Sequence, residues 1–173
     1  MPFSLYEVTV PSFRQTLGAM VGLLEKAEAH CAAKSLAASE LIEARLFEDM
    51  FPFNYQIKST VTHSVGALEA LAGGVFSPDF TPPPATFADL RHKLAGALQT
   101  LEAFTPGDIN AHEGRDMRFE LKDFKLPFTA ENFLTSFSLP NFYFHATTAY
   151  DILRHEGVMV GKRDYVGQLR LKV

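Results

Sequence analysis

Residues 140–158, PNFYFHATTAYDILRHEGV, decide the fold class, because they have the periodicity of one amphipathic helix with a histidine inside it. Apolar side chains recur at three- and four-residue spacing, the pattern of a helix with one buried stripe. This stripe consists of Phe142, Ala146, Ala149 and Leu153. Asn141 and His145 lie one turn apart on its flank, close enough to share a ligand or a hydrogen bond. The segment predicts a helix and poses the question whether His145 is a ligand or a packing residue.

Working outward, three more segments have the same helical periodicity. With the last one they cover about residues 4–32, 52–74, 86–104 and 129–157. Thr86 and Asp89 have the spacing of a capping box at the start of the third helix. We expect a short connecting helix at 41–47 and an interruption of the last helix at Pro140. Four such helices predict an all-α fold, a four-helix bundle of the up-and-down type.

The segment before the last helix differs in character. Residues 118–128, RFELKDFKLPF, alternate apolar and polar side chains, and the alternation shifts at Lys122 and Asp123. Two structures fit this pattern: a hairpin whose turn lacks the usual glycine, or one extended arm with a bulge. We expect extended structure that lies on the bundle or pairs with a second subunit.

Composition places the chain among ordinary globular proteins. It has 173 residues, 47% hydrophobic and 21% charged, which predicts one domain over residues 1–173. The net charge is −4 and no Lys/Arg cluster exceeds two neighbours, so we expect no nucleic-acid partner. Cys31 is the only cysteine and excludes an internal disulfide. No signal peptide or membrane-spanning apolar run is apparent, which predicts a cytoplasmic protein without a membrane partner.

Catalytic signatures such as HExxH, CxxC and GxSxG are absent from the sequence. Bundle folds build metal sites from side chains on facing helices, which leaves His63 and His145 as candidates. His63 shares a face of small and polar side chains with Gln56 on the second helix. The alternative interpretation is that both histidines are hydrogen-bonded packing residues.

Two stretches carry a family resemblance: FEDMFPFNYQIKSTVTH at 47–63 and LPNFYFHATTAYDILRHEGVMVGKRDY at 139–165. They resemble an uncharacterised bacterial branch of the DinB/YfiT-like metalloenzymes, and the resemblance covers nearly the whole chain. It implies a four-helix bundle, which agrees with the periodicity. Metal-binding members use one histidine on the second helix and an HxxxH pair on the fourth. Some are hydrolases or thiol-dependent transferases.

By position, the resemblance assigns His63 to the second-helix ligand and His145 to the second histidine of the pair. Asn141 then stands where the first histidine would be. A catalytic zinc normally keeps three protein ligands, so the implied site is incomplete. Three possibilities follow for the pocket of His63, His145, Asn141 and Gln56. In the first, it holds a divalent metal (Zn, Ni or Fe) with Asn141 or Gln56 as an additional ligand. In the second, the two histidines are a metal-free acid/base or ligand-orienting pair. In the third, the residues are only packed core.

These possibilities leave two functional hypotheses and do not decide whether the protein is an enzyme. The first is a degenerate metal-dependent hydrolase or thiol transferase with an incomplete histidine site. The second is a non-enzymatic bundle without metal that binds a small ligand or has a structural or stress-associated role. Under both we expect a homodimer formed through the helices, with or without the 118–128 arm.

Overall fold

A computed structural model describes residues 3–172 of the chain. The first long helix, α1 (Leu5–Lys34), starts at a capping box: the Ser4 hydroxyl accepts from the Glu7 amide, and the Glu7 carboxylate accepts from the Ser4 amide. The predicted apolar stripe is its buried face, and the helix runs through Pro11. Local capping and one apolar stripe therefore account for this helix.

The second long helix consists of three parts: α3 (Phe53–Val61), a π-helical turn π1 (Thr62–Gly66), and α4 (Ala67–Ala70). A short helix, α2 (Ala38–Ile42), lies in the connection that precedes it, a few residues before the predicted position. The third long helix, α5 (Phe87–Ala103), begins at the predicted cap, where the Thr86 hydroxyl accepts from the Asp89 amide. It is followed by α6 (Pro106–Asn110).

The last long helix begins with α7 (Ala130–Asn132), passes through a second π-helical segment, π2 (Phe133–Ser138), and continues as α8 (Leu139–His155). The predicted interruption at Pro140 is wrong. The helix continues through Pro140, which lies just after the π-helical segment, where the regular hydrogen-bond ladder of the α-helix is already interrupted. Gly157, with φ 79°, follows the helix end. The tail forms α9 (Lys162–Val166), which packs on α1.

The fold is mainly helical, as predicted, but it is not purely all-α, because it includes a small three-stranded sheet. Its strands β1 (Val75–Phe76), β2 (Asp116–Leu121) and β3 (Phe124–Thr129) lie in the order β1-β2-β3. β1 and β2 are parallel, whereas β2 and β3 form an antiparallel hairpin. Lys122 takes the positive φ of 54° that the two-residue turn requires. The 118–128 segment is therefore a hairpin paired within its own chain.

The packing order of the long helices differs from the predicted up-and-down order. α1 packs against α5 and α8, and α3 packs against the same two helices. The first and second long helices therefore lie across the diagonal of the bundle. Residues 35–52, which contain α2, are long enough to make that crossing. No helix in residues 3–172 is long and apolar enough to span a membrane.

Candidate functional site

The structure places His63 and His145 side by side where the second and last long helices meet. Their ring centroids are 5.7 Å apart and the ring planes differ by 15°. His63 belongs to π1 and His145 to α8, and α8 packs against both α3 and π1. Both rings are half-buried. The two candidate histidines therefore belong to one site.

Gln56 fixes the orientation of His145. Its side-chain amide nitrogen donates to the Phe51 carbonyl at 2.8 Å, so its oxygen is turned towards the imidazole. His145 Nδ1 lies 2.7 Å from that oxygen. Gln56 is only 2% exposed, so packing around its side chain keeps both hydrogen bonds in place. The predicted neighbour of the histidines therefore contacts one of them directly.

Asn141, in contrast, forms a hydrogen bond to the backbone of its own helix. Its side-chain nitrogen donates to the Phe137 carbonyl, four residues earlier, at 2.7 Å. Short polar side chains commonly bind the preceding turn in this way. The position that the resemblance assigns to a histidine ligand is therefore occupied by an amide that is used to satisfy the backbone of π2.

Two π-helical turns flank the site, a feature that sequence periodicity does not predict. His63 lies in π1, and Ser138 ends π2. The buried Ser138 hydroxyl donates to the His63 carbonyl at 2.6 Å and joins the two helices directly. π-turns occur frequently at functional sites because the extra residue re-aims the side chains around it. Ser138 is therefore a positioning residue for the backbone of His63.

Aromatic rings surround the pair. His63 packs near Phe76 and Phe137, with ring centroids 5.4 and 5.7 Å away. His145 makes an edge contact with Phe144 at 5.3 Å and lies 6.3 Å from the ring of Tyr55. None of these four rings is marked by a catalytic motif in the sequence. They give the site an apolar wall around two polar ring edges.

Burial keeps both histidines uncharged at neutral pH. It lowers the pKa of His63 to about 4, and the nearby His145 adds to this effect. Burial likewise lowers the pKa of His145 to about 4. A desolvated imidazole favours its neutral form, and a second cation nearby would raise the cost of protonation further. The pair therefore has two neutral rings available for hydrogen bonding or ligation at pH 7.

The donor set does not fit the three-histidine metal centre that the resemblance implies. Within residues 3–172, no three His, Cys, Asp or Glu side chains lie together as a metal site requires. His63 and His145 are two strong donors, and the Gln56 oxygen faces His145 Nδ1. The Asn141 nitrogen donates to Phe137, so Asn141 can add only an amide oxygen, a poor ligand for Zn²⁺ or Ni²⁺. A catalytic zinc normally has three protein ligands. The residues present supply two of them.

A separate cleft of about 740 Å³ lies between α1, α5 and the C-terminal tail. Its charged residues include Arg14 and Glu102, which form an ion pair at 3.4 Å on the rim. Neither candidate histidine lines this cleft. Although this cleft is large, it contains neither candidate histidine, so the His63–His145 pair is the better candidate for a functional site.

Comparisons with known proteins agree with the observed fold. The profile of DUF1993, described as a domain of unknown function, matches residues 5–166. A crystal structure of a DinB family member from Shewanella denitrificans superimposes with a TM-score of 0.84 at 32% sequence identity. The match covers 98% of this chain and 95% of that one. No protein of curated function matches significantly. The chain belongs to the DUF1993 family, a domain of unknown function that shares the DinB fold.

Proposed function

We propose that the protein binds a small organic ligand at the His63–His145 pair and does not carry a stoichiometric metal centre there. The observation that supports this most strongly is the pair itself, two neutral half-buried imidazoles 5.7 Å apart and walled by aromatic rings. Apolar walls with a few well-placed polar atoms are the usual composition of small-molecule sites. Gln56 orients one of those polar atoms.

A second candidate, a degenerate metal-dependent hydrolase or thiol transferase, is favoured by one specific contact. Metal-ligating histidines usually donate their second ring N–H to an oxygen, which fixes the ring for coordination. The contact between His145 Nδ1 and the Gln56 oxygen at 2.7 Å has this form. The second candidate requires a further ligand from outside the His63–His145 pair.

Metal loading separates the two candidates. We expect protein incubated with Zn²⁺, Ni²⁺ or Fe²⁺ and then desalted to retain well below one equivalent, because two donors bind more weakly than three. Elemental mass spectrometry measures the content. The His145→Ala variant and its matched control His155→Ala, an exposed histidine on the same helix, are measured in parallel. Near-stoichiometric metal that His155→Ala keeps and His145→Ala loses would favour the second candidate.

We also propose that the chain forms a homodimer through its helices, not through the hairpin. β3 is the edge strand on the hairpin side of the sheet, and it contains Lys125 and Pro127. Both residue types discourage further strand pairing at an edge. Light scattering after size exclusion should give the dimer mass for the wild type and for a Leu126→Lys variant. A monomer mass at all concentrations contradicts the dimer, and loss of the dimer in the variant places the interface at the hairpin.

A further inference from the structure

The tautomer of His145 follows from its hydrogen bond. The Gln56 amide nitrogen is committed to the Phe51 carbonyl, so the atom that faces His145 Nδ1 is an oxygen. A carbonyl oxygen only accepts, and His145 Nδ1 therefore carries the proton. A neutral imidazole has one N–H, so Nε2 of His145 keeps its lone pair. Nε2 makes no hydrogen bond to residues 3–172 and is not among the buried unpartnered atoms, so it is an acceptor open to solvent or to a ligand.

His63 has the complementary arrangement. Its Nδ1 is buried and has no hydrogen-bond partner within residues 3–172. A buried donor without a partner is rarer and more costly than an unpaired acceptor. The ring proton is therefore better placed on Nε2, which is not among the buried unpartnered atoms. The pair thus offers one donor, at His63 Nε2, and one acceptor, at His145 Nε2.

The exposed aromatic side chains around His145 favour a ligand with an apolar part. Phe144, in edge contact with the His145 ring, is 57% exposed. Phe51 is 58% exposed and stacks on Tyr55 at 3.9 Å. A flat apolar ligand gains by covering such rings, because aromatic pairs attract each other beyond the area they bury. Exposed aromatic side chains therefore lie near the His145 ring, Phe144 directly and Phe51 through Tyr55.

We propose that the ligand is a neutral aromatic alcohol of the phenol type, and this proposal rests on the ligand-binding function proposed above. Its hydroxyl donates to His145 Nε2 and accepts from His63 Nε2–H, while its ring packs on the exposed aromatic side chains. A hydroxyl is both donor and acceptor, which matches what the pair offers. A carboxylate ligand only accepts and would leave His145 Nε2 without a donor.

Phenol and toluene test the proposal, because toluene has a methyl group in place of the hydroxyl. Each is titrated into protein with ¹⁵N-labelled histidine, and the ring nitrogen and proton resonances of His63 and His145 are followed by NMR. We expect phenol to shift both Nε2 signals and to bind about tenfold more tightly than toluene, a difference of about 1.4 kcal/mol that the two hydrogen bonds of the hydroxyl supply together. Before any addition, His145 should show the Nδ1–H tautomer.

Gln56→Met keeps the side-chain volume but removes the acceptor for His145 Nδ1–H. The ratio of the affinity for phenol to the affinity for toluene should therefore fall towards one. His155→Ala should leave the preference unchanged. Equal affinities for phenol and toluene in the wild type would overturn the aromatic-alcohol assignment while leaving a ligand site in place. It would also be overturned if neither probe shifted the histidine signals, or if His145 carried its proton on Nε2. Failure of the proposed function itself is seen separately, as stoichiometric metal lost in His145→Ala.

Discussion

Lowering the pH from 7 to 5 is expected to reduce the free energy of unfolding by about 3 kcal/mol through His63 and His145. Burial lowers the pKa of each to about 4, against 6.5 for an ordinary histidine. Between those values the unfolded chain binds more protons than the folded chain, so stability falls as the pH falls. The stabilisation is fully present above pH 6.5 and is lost progressively down to about pH 4.

The size of this effect follows from linkage. Each histidine alone would contribute about 2 kcal/mol between pH 7 and 5 at 1.36 kcal/mol per pKa unit, and partial exposure lowers the sum for the pair to about 3 kcal/mol. Carboxylates with a lowered pKa, such as Asp79 and Asp164, act mainly below this range. The window from pH 7 to 5 therefore isolates the histidines from most carboxyl titration.

Guanidinium unfolding curves at pH 7, 6 and 5 measure the effect. The double variant His63→Gln/His145→Gln removes both titrating rings and should show a much flatter dependence on pH. The variant His155→Ala, altered at an exposed histidine, should keep the wild-type slope. If the double variant loses stability with falling pH as steeply as the wild type does, the two rings are not the groups that take up the protons.

The helices could be predicted from sequence because their signals are local. The apolar stripe of α1 and the cap at Thr86 involve residues three or four positions apart. The sheet depends on distant residues instead. β1 has two residues, too few for an alternating pattern, and it pairs with a strand about forty positions later. The diagonal arrangement of the first two long helices likewise leaves no trace in the periodicity of either helix.

The candidate site divides in the same way. Helical spacing put Gln56 and His63 on one face, and the structure places both near His145. The two π-turns and the contact between Ser138 and His63 had no sequence signal, because π-turns arise from packing between helices. The resemblance pointed to Asn141 as a ligand position. The structure turns its amide nitrogen towards the π2 backbone instead.

Lys58 is the buried charge whose removal should have the other large effect. It is 2% exposed in the centre of α3. Its ammonium group donates to the carbonyls of Asp79 and Thr81 and lies 3.3 Å from the Asp79 carboxylate. Three partners match the three N–H donors of an ammonium group. Lys58 therefore binds residues 79–81 to α3, the helix that leads into π1 and His63.

Replacing Lys58 by Met keeps the length of the side chain but leaves the carbonyls of Asp79 and Thr81 without their donor, while the Asp79 carboxylate still accepts from Thr81. We expect a loss of about 3–4 kcal/mol in the free energy of unfolding, since each carbonyl that loses its donor costs about 1–3 kcal/mol. Guanidinium unfolding at pH 7 measures the loss, and hydrogen exchange should show faster opening of residues 77–84.

Asp79→Asn is the matched control for Lys58→Met. It removes the ion pair but retains both carbonyl contacts of Lys58, and its side chain is about one-third exposed. We expect it to cost about 1 kcal/mol, in the range of partly exposed ion pairs. If Asp79→Asn proves as damaging as Lys58→Met, the charge pair would be what holds the segment. The larger loss in Lys58→Met would instead assign that role to the two carbonyl contacts of Lys58.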